Sequence, residues 1–125
     1  MKIIKIQSSN LNNSLVFYRA LLNRMPLEIT PSCIQFETEH FILEVAESIG
    51  AHKIQTNVFE IQDAHELAKI NQRMSRFNAI EKMIKNCEVV DRAIGLTDPN
   101  GNRWVIGDPE VKVDFKKCYI ELITI

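Results

Sequence analysis

The chain has 125 residues, of which 46% are hydrophobic and 25% are charged, and fifteen basic residues nearly balance sixteen acidic ones. This length fits one domain with its own core, and the near-neutral charge gives no basis for binding nucleic acid or an anionic membrane. No apolar run approaches the roughly 18 residues that a transmembrane helix needs. The three cysteines are widely spaced and form no C-x-x-C pair, which indicates reduced thiols and a cytoplasmic protein.

The first half of the chain has the pattern of a strand, a helix and three further strands. Ser9 and Asn10 are both suitable N-caps for an amphipathic helix that should end near Asn23, because Pro26 cannot continue it. Alternation of apolar and polar residues predicts the strands over residues 2–8, 27–30, 33–37 and 41–46. The linker-like stretch 48–51 then marks the midpoint of the fold.

The second half repeats this order. A strand is predicted over 55–61, and Asp63 with Glu66 three residues later has the spacing of a capping box at the start of a second helix. Near the end of this half, the sequence Asp98-Pro99-Asn100-Gly101 predicts a tight turn. Pro99 fixes φ near −65°, while Asn and Gly tolerate positive φ. Apolar residues on both sides of the turn predict a hairpin.

Two motifs together resemble a known family. The hairpin over residues 96–106 and the helix opening at Ser14 to Tyr18, with the sequence SLVFY, are similar to those of the glyoxalase/bleomycin resistance/dioxygenase (vicinal oxygen chelate) superfamily. The resemblance implies an α+β fold with two βαβββ modules, which form an open curved mixed sheet around a cleft, with the helices on the convex face. It also implies a homodimer.

The resemblance assigns the first module to about residues 1–48 and the second to about 53–108 of a single domain, 1–125. Residues 79–84 have helical spacing and composition. We nevertheless predict a strand there, since the superfamily has one and 75–78 resemble a break. The resemblance does not cover 109–125, where alternation predicts an added strand extension.

Many members of the superfamily hold a divalent metal through His or Gln on the first strand and Glu on the last strand of each module. The corresponding residues here are Ile3, Glu44, Thr56 and Val105. One carboxylate and one hydroxyl do not make a transition-metal site, so we predict no metal and no cofactor. The three histidines, His40, His52 and His65, are interpreted as solvated polar residues.

Strand parity predicts which side chains face the cleft. The apolar positions that should face the helices are Ile4, Ile6, Phe41, Leu43, Val45, Phe59, Ile61, Trp104 and Ile106. The opposite parity gives the candidate ligand-binding residues: Ile3, Lys5, Gln7, Ile42, Glu44, Thr56, Val58, Glu60, Arg103 and Val105. Apolar walls with a few polar groups suit a small organic molecule. Metal-free acid–base chemistry by Glu44 or Glu60 is conceivable, and Glu44 is the candidate catalytic residue. Three alternatives stay open: charges that merely solvate the sheet, an enzyme with an atypical metal site, and an interaction module with a vestigial cleft.

Overall fold

The computed structural model describes residues 2–50 and 53–116, and the chain divides into two units, Met1–Ile54 and Gln55–Ile125. The first unit contains β1 (Lys2–Ser8), α1 (Leu11–Leu22), β2 (Glu28–Ile29), β3 (Cys33–Glu37) and β4 (Phe41–Glu47). The second contains β5 (Thr56–Glu60), α2 (Ala64–Glu81), β6 (Cys87–Val90), β7 (Ala93–Thr97) and β8 (Arg103–Gly107). Each unit is therefore a βαβββ module, and the α+β prediction is confirmed.

The two sheets share one topology. The strand order is β1-β4-β3-β2 in the first and β5-β8-β7-β6 in the second. In each sheet the first strand pairs in parallel with the last, and the remaining neighbours are antiparallel. The order of elements that was predicted to repeat in the two halves therefore repeats in the structure, with the same sheet topology.

Capping residues fix the predicted helix and hairpin. The Asn13 N–H donates to Asn10 Oδ1 at 3.1 Å, and Asn23 ends α1 in the left-handed conformation (φ 53°). In the hairpin, the N–H groups of Asn100 and Asn102 each donate to Asp98 Oδ1 at 2.8 Å. Local hydrogen bonds of this kind can be read from sequence, because donor and acceptor are only a few residues apart.

The strand predicted over residues 79–84 is wrong. Helix α2 continues to Glu81 and ends at Lys82, which is left-handed (φ 54°) and donates its N–H to the Asn78 carbonyl at 2.9 Å. The Ile84 N–H donates to Asn78 Oδ1 at 3.1 Å, so one asparagine satisfies groups on both sides of the cap. The helical composition of 79–81 therefore prevails, and the next strand starts at Cys87.

The strand extension predicted over 109–125 is wrong over its described part. Residues 109–116 form turns and irregular structure. Asp108 and Asp114 accept N–H bonds from Glu110 and Lys116, two residues on, at 3.0 and 2.9 Å. Such side-chain turns bend the backbone away from a sheet. The rest of the predicted extension, 117–125, lies outside the described residues.

One face of each sheet packs beneath a helix, as parity predicted. Of the residues predicted to face the helices, Ile4, Ile6, Phe41, Leu43, Val45, Trp104 and Ile106 are buried in strands, Ile61 is buried just after β5, and Phe59 is half-buried. On α1, Phe17 and Tyr18 are fully buried with their rings edge-to-face, 5.0 Å apart. No helix within 2–50 and 53–116 is long and apolar enough to cross a membrane.

Candidate functional site

The face of each sheet opposite its helix is called its open face here, and the first sheet's open face carries half of the predicted site. The predicted residues on it are Ile3, Lys5, Gln7, Ile42 and Glu44. Cross-strand register adds side chains from the neighbouring strands: Glu28, Cys33, Gln35 and Glu37. The open face is thus a mixed surface, apolar around Ile3 and Ile42 and polar along the row that contains Glu44.

A charge pair lies at the centre of this face. Lys5 and Glu44 are register partners, and Lys5 Nζ lies 4.0 Å from Glu44 Oε2. The Glu44 side chain is 29% exposed and that of Lys5 is 75% exposed. Ile3, on the same face, is 52% exposed. The pair therefore offers an acceptor and a donor beside accessible apolar surface.

Cys33 faces the same side, one row from Glu44. Burial raises the pKa of its thiol above the usual value, and the charges of Glu44 and then Glu28 raise it further. The thiol therefore stays protonated at neutral pH, where it is a poor nucleophile. Sequence reasoning omitted Cys33 and Gln35, although the alternation of the predicted strand over 33–37 places both on one face.

The second sheet's open face carries the other half of the predicted site. The predicted residues on it are Thr56, Val58, Glu60, Arg103 and Val105. Its first row runs across three strands as Thr56, Arg103 and Thr97, and its second row contains Val58, Val105, Gly95 and Glu88. Val58 is 45% exposed, and Thr56, Glu60 and Arg103 are also exposed.

Residues 111–116, called the strap here, cross part of this second face. Val113 and Phe115 lie over Gly95, where a side chain on β7 would meet them. The Asp114 N–H donates to Glu88 Oε2, and the Arg103 guanidinium lies 5.4 Å from the centre of the Phe115 ring. The strap therefore covers the β6–β7 half of the face and leaves the β5–β8 half accessible. Sequence reasoning found no signal for this packing.

A concavity borders the predicted residue Glu60. It has a volume of about 300 Å³ and is lined by Ile61, Leu67, Arg92, Asp108 and other residues of the second unit. Within this lining, Arg92 and Asp108 form an ion pair, with Arg92 Nη1 2.8 Å from Asp108 Oδ2. The concavity is therefore lined by both apolar and acidic side chains, and Glu60 is the predicted site residue that it includes.

The donor set does not fit a transition metal. At the four corresponding positions, only Glu44 has a metal-ligating side chain of the usual kind, since Ile3, Thr56 and Val105 offer no imidazole or carboxylate. Within 2–50 and 53–116, no three His, Cys, Asp or Glu side chains cluster closely enough to hold a metal ion. His40 and His65 are exposed, and His52 lies outside the described residues.

The sequence matches no protein-family model and no curated protein. The structure, however, is similar to solved structures over most of its length. Lactoylglutathione lyase from Agrobacterium tumefaciens matches with a TM-score of 0.67 at 18% identity, covering 88% of this chain and 93% of that one. A bleomycin resistance determinant encoded on transposon Tn5 matches with a TM-score of 0.65 at 14% identity, covering 89% and 98%.

A third similar structure contains a metal and an organic ligand. It is a mutant of the fosfomycin resistance protein FosX from Listeria monocytogenes, complexed with Mn(II) and 1S,2S-dihydroxypropylphosphonic acid. Its TM-score is 0.66 at 13% identity, covering 86% of this chain and 89% of that one. At such identities the likeness is one of fold.

Proposed function

We propose that the chain, which has the fold of the glyoxalase/bleomycin resistance/dioxygenase superfamily, binds a small organic molecule on an open sheet face without a metal. The observation that carries this proposal is the Lys5–Glu44 pair, 4.0 Å apart, beside the exposed side chain of Ile3. A ligand that covers Ile3 removes apolar surface from water, and the pair then orients its polar groups.

Glu44 is the residue that we expect to matter most for binding. Replacing it with glutamine keeps its shape and removes its charge, so it should weaken ligand binding by about 1–3 kcal/mol, the usual cost of a spoiled hydrogen bond. A matched control is Glu47→Gln, since Glu47 lies on the same strand with the opposite parity. A thermal-shift screen of organic molecules finds the ligand, and titration calorimetry of the three proteins measures its affinity.

The outcome separates three functions. Weaker binding in Glu44→Gln alone supports the proposal, and equal weakening in both variants contradicts it. Stoichiometric zinc, nickel, manganese or iron in the native protein, lost in Glu44→Gln, would instead favour a metal-dependent enzyme of the superfamily. A vestigial face predicts no stabilised state in the screen, whereas a ligand at 100 times its Kd stabilises the native state by roughly 2.7 kcal/mol.

We further propose that the protein is a cytoplasmic homodimer. Edge strand β2 carries the exposed Ile29, and Leu27 just before it is also exposed, so this edge offers unpaired backbone groups beside apolar side chains. Cys33 and Cys87 are free thiols, which suits a reducing compartment. Light scattering at micromolar concentration tests the assembly, and a monomer mass would contradict it.

A further inference from the structure

The strap lies over a part of the second sheet that carries polar side chains. Glu88 and Thr97 are on the open face, yet they are only 6% and 4% exposed. In the first sheet, register places Glu28 and Glu37 at the corresponding positions, and both are exposed. Equivalent positions of the two sheets are therefore open to solvent in the first unit and covered in the second.

The strap does not match the polar groups that it covers. It turns the apolar side chains of Val113 and Phe115 toward β7. The Asp114 N–H donates to Glu88, but Oγ1 of Thr97 has no hydrogen-bond partner among the residues that the structure describes. A buried hydroxyl without a partner disfavours the covered state relative to one in which water reaches that hydroxyl.

Side-chain contacts, and not strand pairing, hold the strap on the sheet. Residues 111–116 are bends, turns and irregular structure, and each of them is half-buried or exposed. The Asp114 N–H ties them to Glu88, and the Phe115 ring centre lies 5.4 Å from the guanidinium carbon of the exposed Arg103. A segment with little buried surface and no strand pairing opens at a lower free energy than the sheet beneath it.

From these features we infer that the strap is a displaceable cover, which closes the β6–β7 half of the second open face and uncovers it on leaving. Gly95 lies in one row between Val105 and Glu88. Release of the strap therefore leaves a groove with glycine backbone as its floor and one apolar and one acidic side chain as its walls. Such a groove accepts an apolar organic group in place of the strap's own side chains. The inference goes beyond the proposed function, since it concerns the second sheet and needs no ligand at Glu44.

Native-state proteolysis of the unaltered protein tests whether the strap opens on its own. Trypsin cleavage after Lys112 reports opening of the strap, whereas cleavage after Lys69, inside α2, requires unfolding of the helix. The first cut should be at least about tenfold faster and depend less on urea, because opening the strap exposes less surface than unfolding. Equal rates with equal urea dependence would overturn the inference, since the strap would then open only with the whole unit.

Glu88→Ala tests whether the contact with the sheet controls this opening. It removes the acceptor of the Asp114 N–H, so cleavage after Lys112 should become about three- to tenfold faster, the scale of one hydrogen bond. Glu28→Ala is the matched control, because it removes the corresponding carboxylate from the first sheet and should leave the rate unchanged. An unchanged rate in Glu88→Ala would overturn the inference, and so would an equal rise in both variants.

Dye binding tests what the strap covers. Val113→Ser combined with Phe115→Ser removes the apolar side chains that fill the groove. Fluorescence of the neutral dye N-phenyl-1-naphthylamine should then rise by about threefold or more. Lys112→Ser combined with Lys116→Ser is the control on the exposed side of the strap and should not change the signal.

A side chain at position 95 shows where the dye binds. Gly95 is in a strand and its φ is not positive, so Gly95→Leu is compatible with the backbone once the strap is loosened. Added to Val113→Ser and Phe115→Ser, it should return the fluorescence to the native value. Fluorescence that does not rise in the double variant, or that stays high after Gly95→Leu, would overturn the inference. Loss of cooperative thermal melting in the double variant would also overturn it, because the strap would then belong to the core of the unit.

Discussion

The open faces of the two sheets differ in what covers them. In the first, β3 alternates between half-buried and buried residues, with Gln35 on the open side. In the second, the corresponding strand, β7, is buried along its whole length, because Ile94 and Leu96 face the helix side and the strap crosses the open face at Gly95. Two units with one topology therefore present different surfaces, and the difference comes from a segment that follows the last strand.

One pair of corresponding residues accounts for this difference. Gln35 pairs with Glu44 in the first sheet, as Gly95 pairs with Val105 in the second. A side chain at Gly95 would collide with Val113, whereas Gln35 fills the same place with its own atoms. A glycine in a strand interior weakens the strand but permits close approach of another segment, which is its role here.

The largest expected effect concerns two corresponding residues on the last strand of each sheet, Ala46 on β4 and Gly107 on β8. Gly107 has φ of +120°, and a Cβ there would overlap the Arg92 carbonyl oxygen and lie 3.0 Å from the Ala93 Cα. Both are backbone atoms, so they cannot rotate away as a side chain can. Gly107→Ala should therefore lower the free energy of unfolding by about 3 kcal/mol, from strained backbone and overlap together.

Ala46→Gly is the matched reverse change in the first sheet. It should cost only about 0.5–1 kcal/mol, the entropy of a glycine in a strand. Urea denaturation of both variants measures the two costs. Equal costs would contradict the backbone overlap at Gly107 as a difference between the two sheets.

A smaller effect is expected at Gly95, in the second row of the second sheet. Gly95→Ala should lower the free energy of unfolding by about 1–3 kcal/mol, because Val113 must move away from the new methyl group. The nearest atom at Gly95 belongs to a side chain, whereas the nearest atoms at Gly107 are backbone, so the cost is lower than at Gly107. Val113→Ala in the same chain should recover part of it, since the colliding methyl is then absent.

Gln35→Ala provides the comparison in the first sheet, where we expect a change within about 0.5 kcal/mol. Urea denaturation again gives the values, and limited proteolysis reports whether the strap is released. No recovery in the double variant would contradict the contact between Gly95 and Val113 as the cause.

Much of the fold could be predicted because its determinants are local. Asn10 and Asp98 act on N–H groups within four residues, and the alternation along β1 and β4 separates Ile4 from Lys5 by parity alone. The end of α2 was missed, since Asn78 stabilises a helical turn that competed with a strand expected from the resemblance.

The candidate site was predictable only within each strand. Parity places Glu44 and Arg103 on open faces, and the structure agrees. The alternation along β3 places Cys33 on the open face, but only the register between strands places it one row from Glu44 and places Thr97 beside Arg103. The strap was missed for the same reason, because its contact between Val113 and Gly95 joins residues far apart in sequence and has no periodic signal.

The smallest expected effect concerns Cys33, which pairs with Ala46 in the first sheet as Ala93 pairs with Gly107 in the second. Burial, Glu44 and Glu28 raise its thiol pKa, so the folded protein holds that proton more tightly than the unfolded chain does. The thiol should therefore contribute stability at neutral pH that is lost as pH rises through the folded pKa. In a Cys118→Ser background at pH 8, Glu44→Gln should raise the rate of thiol labelling by about two- to fivefold, because only the thiolate reacts. Glu47→Gln should leave the rate unchanged, and the buried Cys87 should label only on unfolding. An equal rate in all three proteins would show that Glu44 does not act on this thiol across the first sheet's open face.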